Sequence, residues 1–236
     1  MTSTIIFGAS RGLGAAFNLA LPARGDVVWL VSRSRPDLGY DDGVSRHWIE
    51  ADLGATDVAA RVSNAVGSAA LDVAIYNAGI WESGAFGPGY SFDKVPDAET
   101  HNILTVNLAS AITCLRAVLP NLRKSKAAKI VLIGSTSGLD NIGQPEVAYT
   151  ASKFGLRGVA HALREVVRKD GIAVTCLNPG NIGTIAVKDG KIAARPHEAR
   201  DMIPPQDLIE LVRCVMRLSN ASCVKEIDVM AMTDSV

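Results

Sequence analysis

Residues 129–155 read KIVLIGSTSGLDNIGQPEVAYTASKFG, and the order of features in this stretch sets both the fold and the chemistry. Lys129 to Gly134 is a short apolar run closed by a glycine, which predicts a buried strand. Ser135 falls where that strand stops. A turn-rich loop follows (Gly138, Asp140, Asn141, Gly143, Pro145), then a helical pattern with Tyr149 and Lys153 near its start. At i, i+4 spacing the phenol and the amine share one helix face, a turn apart. Tyrosine is a poor acid, with an ordinary pKa of about 10. A neighbouring ammonium favours the phenolate, so Lys153 is expected to lower that value and make the phenol usable for proton transfer near neutral pH. The hydroxyl of Ser135 is placed to bond the same substrate oxygen. Tyr–Lys pairs at this spacing are also common on plain helix surfaces, so the meaning of this one depends on the rest of the chain.

The length of 236 residues suits one large α/β domain spanning 1–236, with no separate substrate domain. Lys+Arg and Asp+Glu balance at 24 each, with no like-charge block, which argues against nucleic acid or an anionic membrane as partner. No apolar run approaches membrane-spanning length. The opening MTSTIIFGAS lacks a basic region followed by an apolar stretch, so no signal peptide is expected. Cys114, Cys176, Cys214 and Cys223 have neither metal nor disulfide spacing, and His47, His101, His161 and His197 are scattered. A cytoplasmic protein with reduced thiols and no metal is expected.

Around the central stretch, strands are predicted at 4–7, 27–31, 46–51, 71–76, 172–177 and 224–230. Helices are predicted from Gly12 to about Ala23, at 56–66, from 97 to 119 with a stop near Pro120, from about 147 to 169, and at 206–218. Asn178-Pro179-Gly180 should break the sixth strand. Alternating strands and helices, with near-continuous apolar strands, predict a doubly wound parallel sheet of about seven strands, covered by helices on both faces.

The chemical motifs follow strands. Gly8-x-x-x-Gly12-x-Gly14 lies between the first strand and helix, where glycines let the backbone approach a pyrophosphate and the helix start offers free N–H groups. At the end of the second strand an acidic residue would suit NAD, but Ser32 and Arg33 stand there, with Arg11 close by. Two guanidiniums suit a 2′-phosphate, so NADP(H) is expected. Asp52-Leu53, Asn77-Ala78-Gly79 and Asn178-Pro179-Gly180 follow three further strands. In an open α/β sheet all of these share the ligand-binding edge.

With these residues assembled, the chain resembles the short-chain dehydrogenase/reductase family, in its compact single-domain branch. The resemblance rests on the Gly8/Gly12/Gly14 loop, Asp52, Asn77-Ala78-Gly79, Asn107, Ser135, Tyr149-x-x-x-Lys153 and Pro179-Gly180-x-x-x-Thr184. It implies a Rossmann-like fold and a tetrad of Asn107, Ser135, Tyr149 and Lys153. In that tetrad Tyr149 is the general acid for carbonyl reduction. Lys153 tunes it and holds the nicotinamide ribose, Ser135 polarises the substrate oxygen, and Asn107 holds a water that links Lys153 to solvent. The implied cofactor site also takes in Ser10, Arg11, Leu13, Ser32, Arg33, Asp52, Leu53, Asn77, Ala78, Gly79, Pro179, Gly180, Ile182 and Thr184. Phe7 stands where a threonine is usual and Tyr76 where an asparagine is common, which affects local loop geometry. Ser137 is an alternative hydroxyl to Ser135.

Trp81, Phe86, Tyr90, Ile142, Gln144, Asn181 and Ile182 are expected to line the pocket and hint at a hydrophobic ketone or aldehyde. Residues 184–203 are a candidate substrate lid. The resemblance implies a homodimer or homotetramer through helices 97–119 and 147–169. The rival to a reductase is a noncatalytic NADP(H)-binding sensor, which would need the glycine loop and Arg33 but no tetrad.

Overall fold

The computed structural model of the chain describes residues 1–140, 144–183, 185–188, 190–193 and 200–234. Its sheet has seven parallel strands. They are β1 (Ser3–Phe7), β2 (Val27–Ser32), β3 (Ser45–Glu50), β4 (Val73–Tyr76), β5 (Lys129–Ile133), β6 (Ala173–Pro179) and, after a small hairpin, β9 (Glu226–Val229). The spatial order is β3-β2-β1-β4-β5-β6-β9. Chain order therefore reverses between β1 and β4, the switch point at which such sheets bind ligands.

Period-two alternation divides the strands between two cores. Ile5, Phe7, Ala74, Tyr76, Ile130 and Leu132 face one side, with buried residues of helices α2 (Val58–Val66), α4 (Ser110–Leu122) and α5 (Val147–Val167). Ile6, Val73, Ile75, Val131 and Ile133 face the other, with α1 (Gly12–Ala20) and α6 (Pro205–Arg217). Every residue of β4 and β5 is buried, which is why these strands show no polar alternation.

Four local features depart from the expected pattern. The helix expected to stop near Pro120 runs on to Leu122, because a proline in the last turn forfeits little more than one backbone bond. Strand β6 continues through Asn178 to Pro179, where it still pairs with Val229. A proline is tolerated at this strand end, where ladder pairing is about to stop. A single rod, Asp97–Leu122, joins α3 (Asp97–Leu104) to α4 and is long and apolar enough by composition to cross a membrane, which the apolar-run reading did not anticipate. Its apolar side packs into the core through Ile103, Ala111, Cys114, Leu115, Val118 and Leu122. Finally, part of 184–203 forms the two-stranded hairpin of β7 (Val187–Lys188) and β8 (Lys191–Ile192). Its Ile185, Val187 and Ile192 pack on the α1 side of the sheet.

Candidate active site

β1 delivers Gly8 to the switch point with φ +80°, and Gly12 follows with φ +57°. A Cβ on Gly8 would lie 2.8 Å from the Ala78 Cα, and one on Gly14 only 2.0 Å from the Gly8 carbonyl oxygen. Only glycine lets the turn lie this close to β4. The first turn of α1 holds no acidic residue, and its N-cap, Arg11, makes no side-chain cap. Its leading amides therefore suit a pyrophosphate, and the group fits this cradle.

At the end of β2 the Ser32 hydroxyl turns inward and donates to the Ser34 carbonyl at 2.8 Å. Arg33 and Arg11 are exposed. A third arginine at this corner, Arg35, lies 6.0 Å over the ring of Trp48, and the motif reading had passed over it. Asp52 is exposed and accepts from the Gly54 amide at 2.9 Å, whereas Leu53 is packed into the core and can offer a ligand only its backbone.

The Asn77 amide nitrogen donates to the Gly8 carbonyl at 3.0 Å, tying β4 to the glycine turn. The two departures from the family pattern explain each other. Phe7 and Tyr76 are fully buried side by side with ring centres 5.5 Å apart. The Tyr76 hydroxyl donates to the Val106 carbonyl at 2.5 Å, and burial raises its pKa.

Val106 belongs to a single π-helical turn, Thr105–Ala109, inserted between α3 and α4. Such bulges frequently mark functional positions, and this one turns Asn107 inward. Its Oδ1 accepts from the Ile80 amide at 2.8 Å, and its Nδ2 donates to the Ile80 carbonyl at 2.7 Å and to Ser152 Oγ at 3.0 Å. With both amide hydrogens committed, the side chain clamps the loop after β4. The water-holding role implied by the resemblance is left to the second Oδ1 lone pair or the backbone carbonyl.

Ser135, Tyr149 and Lys153 line one cavity of about 150 Å³ with Leu13, Asn77, Gly79, Trp81, Pro179, Gly180 and Ile182. Ser137 is not in its lining. Its amide instead donates to Ser135 Oγ at 3.1 Å and orients that hydroxyl. Lys153 is buried, and its Nζ donates to the Ile133 carbonyl at 3.0 Å, 5.5 Å from the centre of the Tyr149 ring. Burial lowers the lysine to about 8.

The expected depression of the Tyr149 pKa is not what this environment gives. Burial raises it, the Ser135 hydroxyl opposes that rise, and Glu146 and Glu82 add to it. The ammonium is committed to Ile133 and beset by its own desolvation, while two buried carboxylates act on the phenol.

Those glutamates are the main residues that motif reasoning missed. Glu82 stands in a loop that reads as glycine-rich turn, and Glu146 immediately precedes a helix, where an acid passes for an ordinary first-turn residue. Among the other expected lining residues, Phe86 packs edge-on to Tyr149 at 5.5 Å and the Tyr90 hydroxyl accepts from the Val147 amide at 3.3 Å. Gln144 and Asn181 are exposed and outside the cavity lining. Ile142 and Thr184 lie outside the described residues. Among the described residues, no group of three or more His, Cys, Asp or Glu side chains could hold a metal ion.

A seven-stranded sheet with this order and this edge defines a Rossmann-like dinucleotide-type fold. A family model for short chain dehydrogenases matches residues 2–192. The chain is 34% identical over 193 residues, 78% of either protein, to the 3-oxoacyl-(acyl-carrier-protein) reductase FabG of Aggregatibacter actinomycetemcomitans. It is similar to a metagenomic short-chain oxidoreductase solved with NADP (25% identity, TM-score 0.75, covering 99% of this chain and 98% of that one). Its fold also resembles that of an NADH-dependent reductase, A1-R′, solved with NAD (22% identity, TM-score 0.77, 97% and 94% covered). The chain belongs to the short-chain dehydrogenase family of oxidoreductases.

Proposed function

We propose that the chain is an NADPH-dependent reductase of an apolar ketone or aldehyde. The observation that carries this is the meeting of Ser135, Tyr149 and Lys153 in one cavity with Asn77, Gly79 and Gly180, beside the glycine turn. When bound, NADPH supplies a hydride to the carbonyl carbon. Ser135 and Tyr149 hold the carbonyl oxygen between two hydroxyls, and Tyr149 gives its proton to that oxygen as charge develops on it. Lys153, fixed across the cavity floor, binds the ribose hydroxyls of the cofactor. Asn107 holds Ile80, and with it the loop that brings Gly79 and Trp81 to the cavity.

Preference for the 2′-phosphate rests on Arg33, Arg11 and Arg35 around a strand end that lacks an acid. The solved structures that the fold resembles include both an NADP and an NAD complex, so this choice stands on the chain's own residues. Leu13, Trp81 and Ile182 give the pocket its apolar character, with Phe86 packed edge-on against Trp81. Exposed Ile112 on α4 and exposed Val147, Phe154 and Val166 on α5 support a homodimer or homotetramer formed through these helices. The four free cysteines agree with a reducing compartment, and the two continuous cores with a single unit over 1–236.

The test mixes purified protein with NADPH or NADH and a panel of ketones and aldehydes, and follows loss of the reduced nicotinamide. Turnover with NADPH, weakened by Arg33→Ala and lowered at least about a hundredfold by Tyr149→Phe, is expected. NADPH binding without turnover of any carbonyl would overturn the reading.

A further inference from the structure

The loop from Ile80 to Tyr90 is fastened to the first turn of α5 from both sides. Glu82, 1% exposed, accepts from the Ala148 amide at 2.7 Å and the Tyr149 amide at 3.2 Å through the same Oε1. Glu146, also 1% exposed, reaches the other way and accepts from the Phe86 amide at 2.6 Å. The Tyr90 hydroxyl takes the Val147 amide, so each leading amide of α5 is bonded across to this loop rather than to an N-cap side chain. The second oxygen of each glutamate is buried with no hydrogen-bond partner among the described residues. Neither glutamate lines the cavity, so neither is placed to touch substrate.

We propose that Glu82, seconded by Glu146, is a positioning residue for the general acid: it fixes the helix turn that carries Tyr149 and sets a buried carboxylate beside it, and so sets the alkaline limit of the reaction. This rests on the reductase reading above. Reduction consumes the Tyr149 proton, breaking its O–H bond and forming one on the carbonyl oxygen, and solvent then returns a proton to the phenolate. Oxidation of an alcohol starts instead from the phenolate.

Among the described residues, the groups facing Tyr149 are few. Glu82 comes from the loop after β4, Glu146 from the start of α5, and Lys153 from the next turn; the Ser135 hydroxyl comes from the end of β5, and the edges of Trp81 and Phe86 close the set. Two negative groups and burial oppose the phenolate, and they act on the tyrosine in the same direction. Among the described residues one cation, Lys153, bonded to the Ile133 carbonyl, faces them.

The chain has four tyrosines, so tyrosine labelled with 13C at Cζ gives a spectrum in which Tyr149 is assigned by its loss in Tyr149→Phe. Titration of the full-length, cofactor-free protein should place Tyr149 above the ordinary value of about 10. Glu82→Gln keeps an oxygen for the two amides but removes the charge, and should move the midpoint down. Glu146→Gln, at the N-cap position but with a side chain that makes no cap bond to α5, should move it the same way and decides the matter if Glu82→Gln fails to fold. Midpoints unchanged in both variants would overturn the proposal. The alkaline limb of kcat for NADPH-dependent reduction should shift with the NMR midpoint. If the midpoint shifts but the wild type reduces no carbonyl, the effect of the carboxylates stands and the reductase reading falls.

Discussion

Tyr149 and Lys153 share a cavity wall, yet burial moves each towards its neutral form: the phenol upward and the ammonium down to about 8. The unfolded chain then holds the Lys153 proton more tightly than the folded one between about pH 8 and 10.5. Across that window stability rises with pH, because the folded state no longer has to bury a charge. The gain is about 3 kcal/mol at most, from the size of the shift. Urea unfolding at several pH values should show this rise in the wild type relative to Lys153→Gln, and parallel curves for the two proteins would refute it. Tyr149→Phe removes the acid but no packing atoms beyond one oxygen. The expected loss in kcat is about 10²–10⁴-fold with cofactor affinity retained, measured by steady-state kinetics beside a binding titration.

Among the elements, the π-helical turn and the glycine turn are the most exacting. Asn107→Leu would leave the half-buried Ile80 amide and carbonyl without their partner beside the fully buried Asn107 position. A cost of about 1–3 kcal/mol in unfolding free energy is expected for each buried group left unpaired, with a lower kcat from the loosened loop. Gly14→Ala places a Cβ where the Gly8 carbonyl already is. The turn must move, so NADPH affinity should fall sharply in a fluorescence titration, with a smaller change in melting temperature. The strands and helices were readable because apolar runs and helical periods report burial directly, as the wholly buried β4 and β5 illustrate. Asn107 was found by resemblance, but its bulge was not, since nothing in Thr105–Ala109 spells an extra residue per turn. Likewise the partnership of Phe7 with Tyr76, and of Glu82 with the amides of α5, is a tertiary pairing between distant segments that periodicity does not carry.

On the scale of the whole molecule, one sheet edge gathers the glycine turn, the arginine corner and the cavity, while α4 and α5 leave Ile112, Val147, Phe154 and Val166 towards solvent. If copies of the chain associate through these residues, Phe154→Glu should shift the mass found by light scattering towards the monomer while the circular dichroism spectrum is kept. An unchanged mass would remove this face from the interface. Behind the same edge, Ile182 and Ile203 are joined by a parallel bridge, with Gly183 donating to the Ile203 carbonyl at 3.0 Å and Ile203 to Asn181 at 2.7 Å. The intervening excursion thus leaves and returns through a stitched collar. Since each doubling of a tethered loop costs only about 0.6 kcal/mol in closure entropy, a segment of another length is tolerated between those stitches provided that it still covers the core where Ile185, Val187 and Ile192 pack. The two stitches, and not the segment they bracket, are what the sheet edge holds in place.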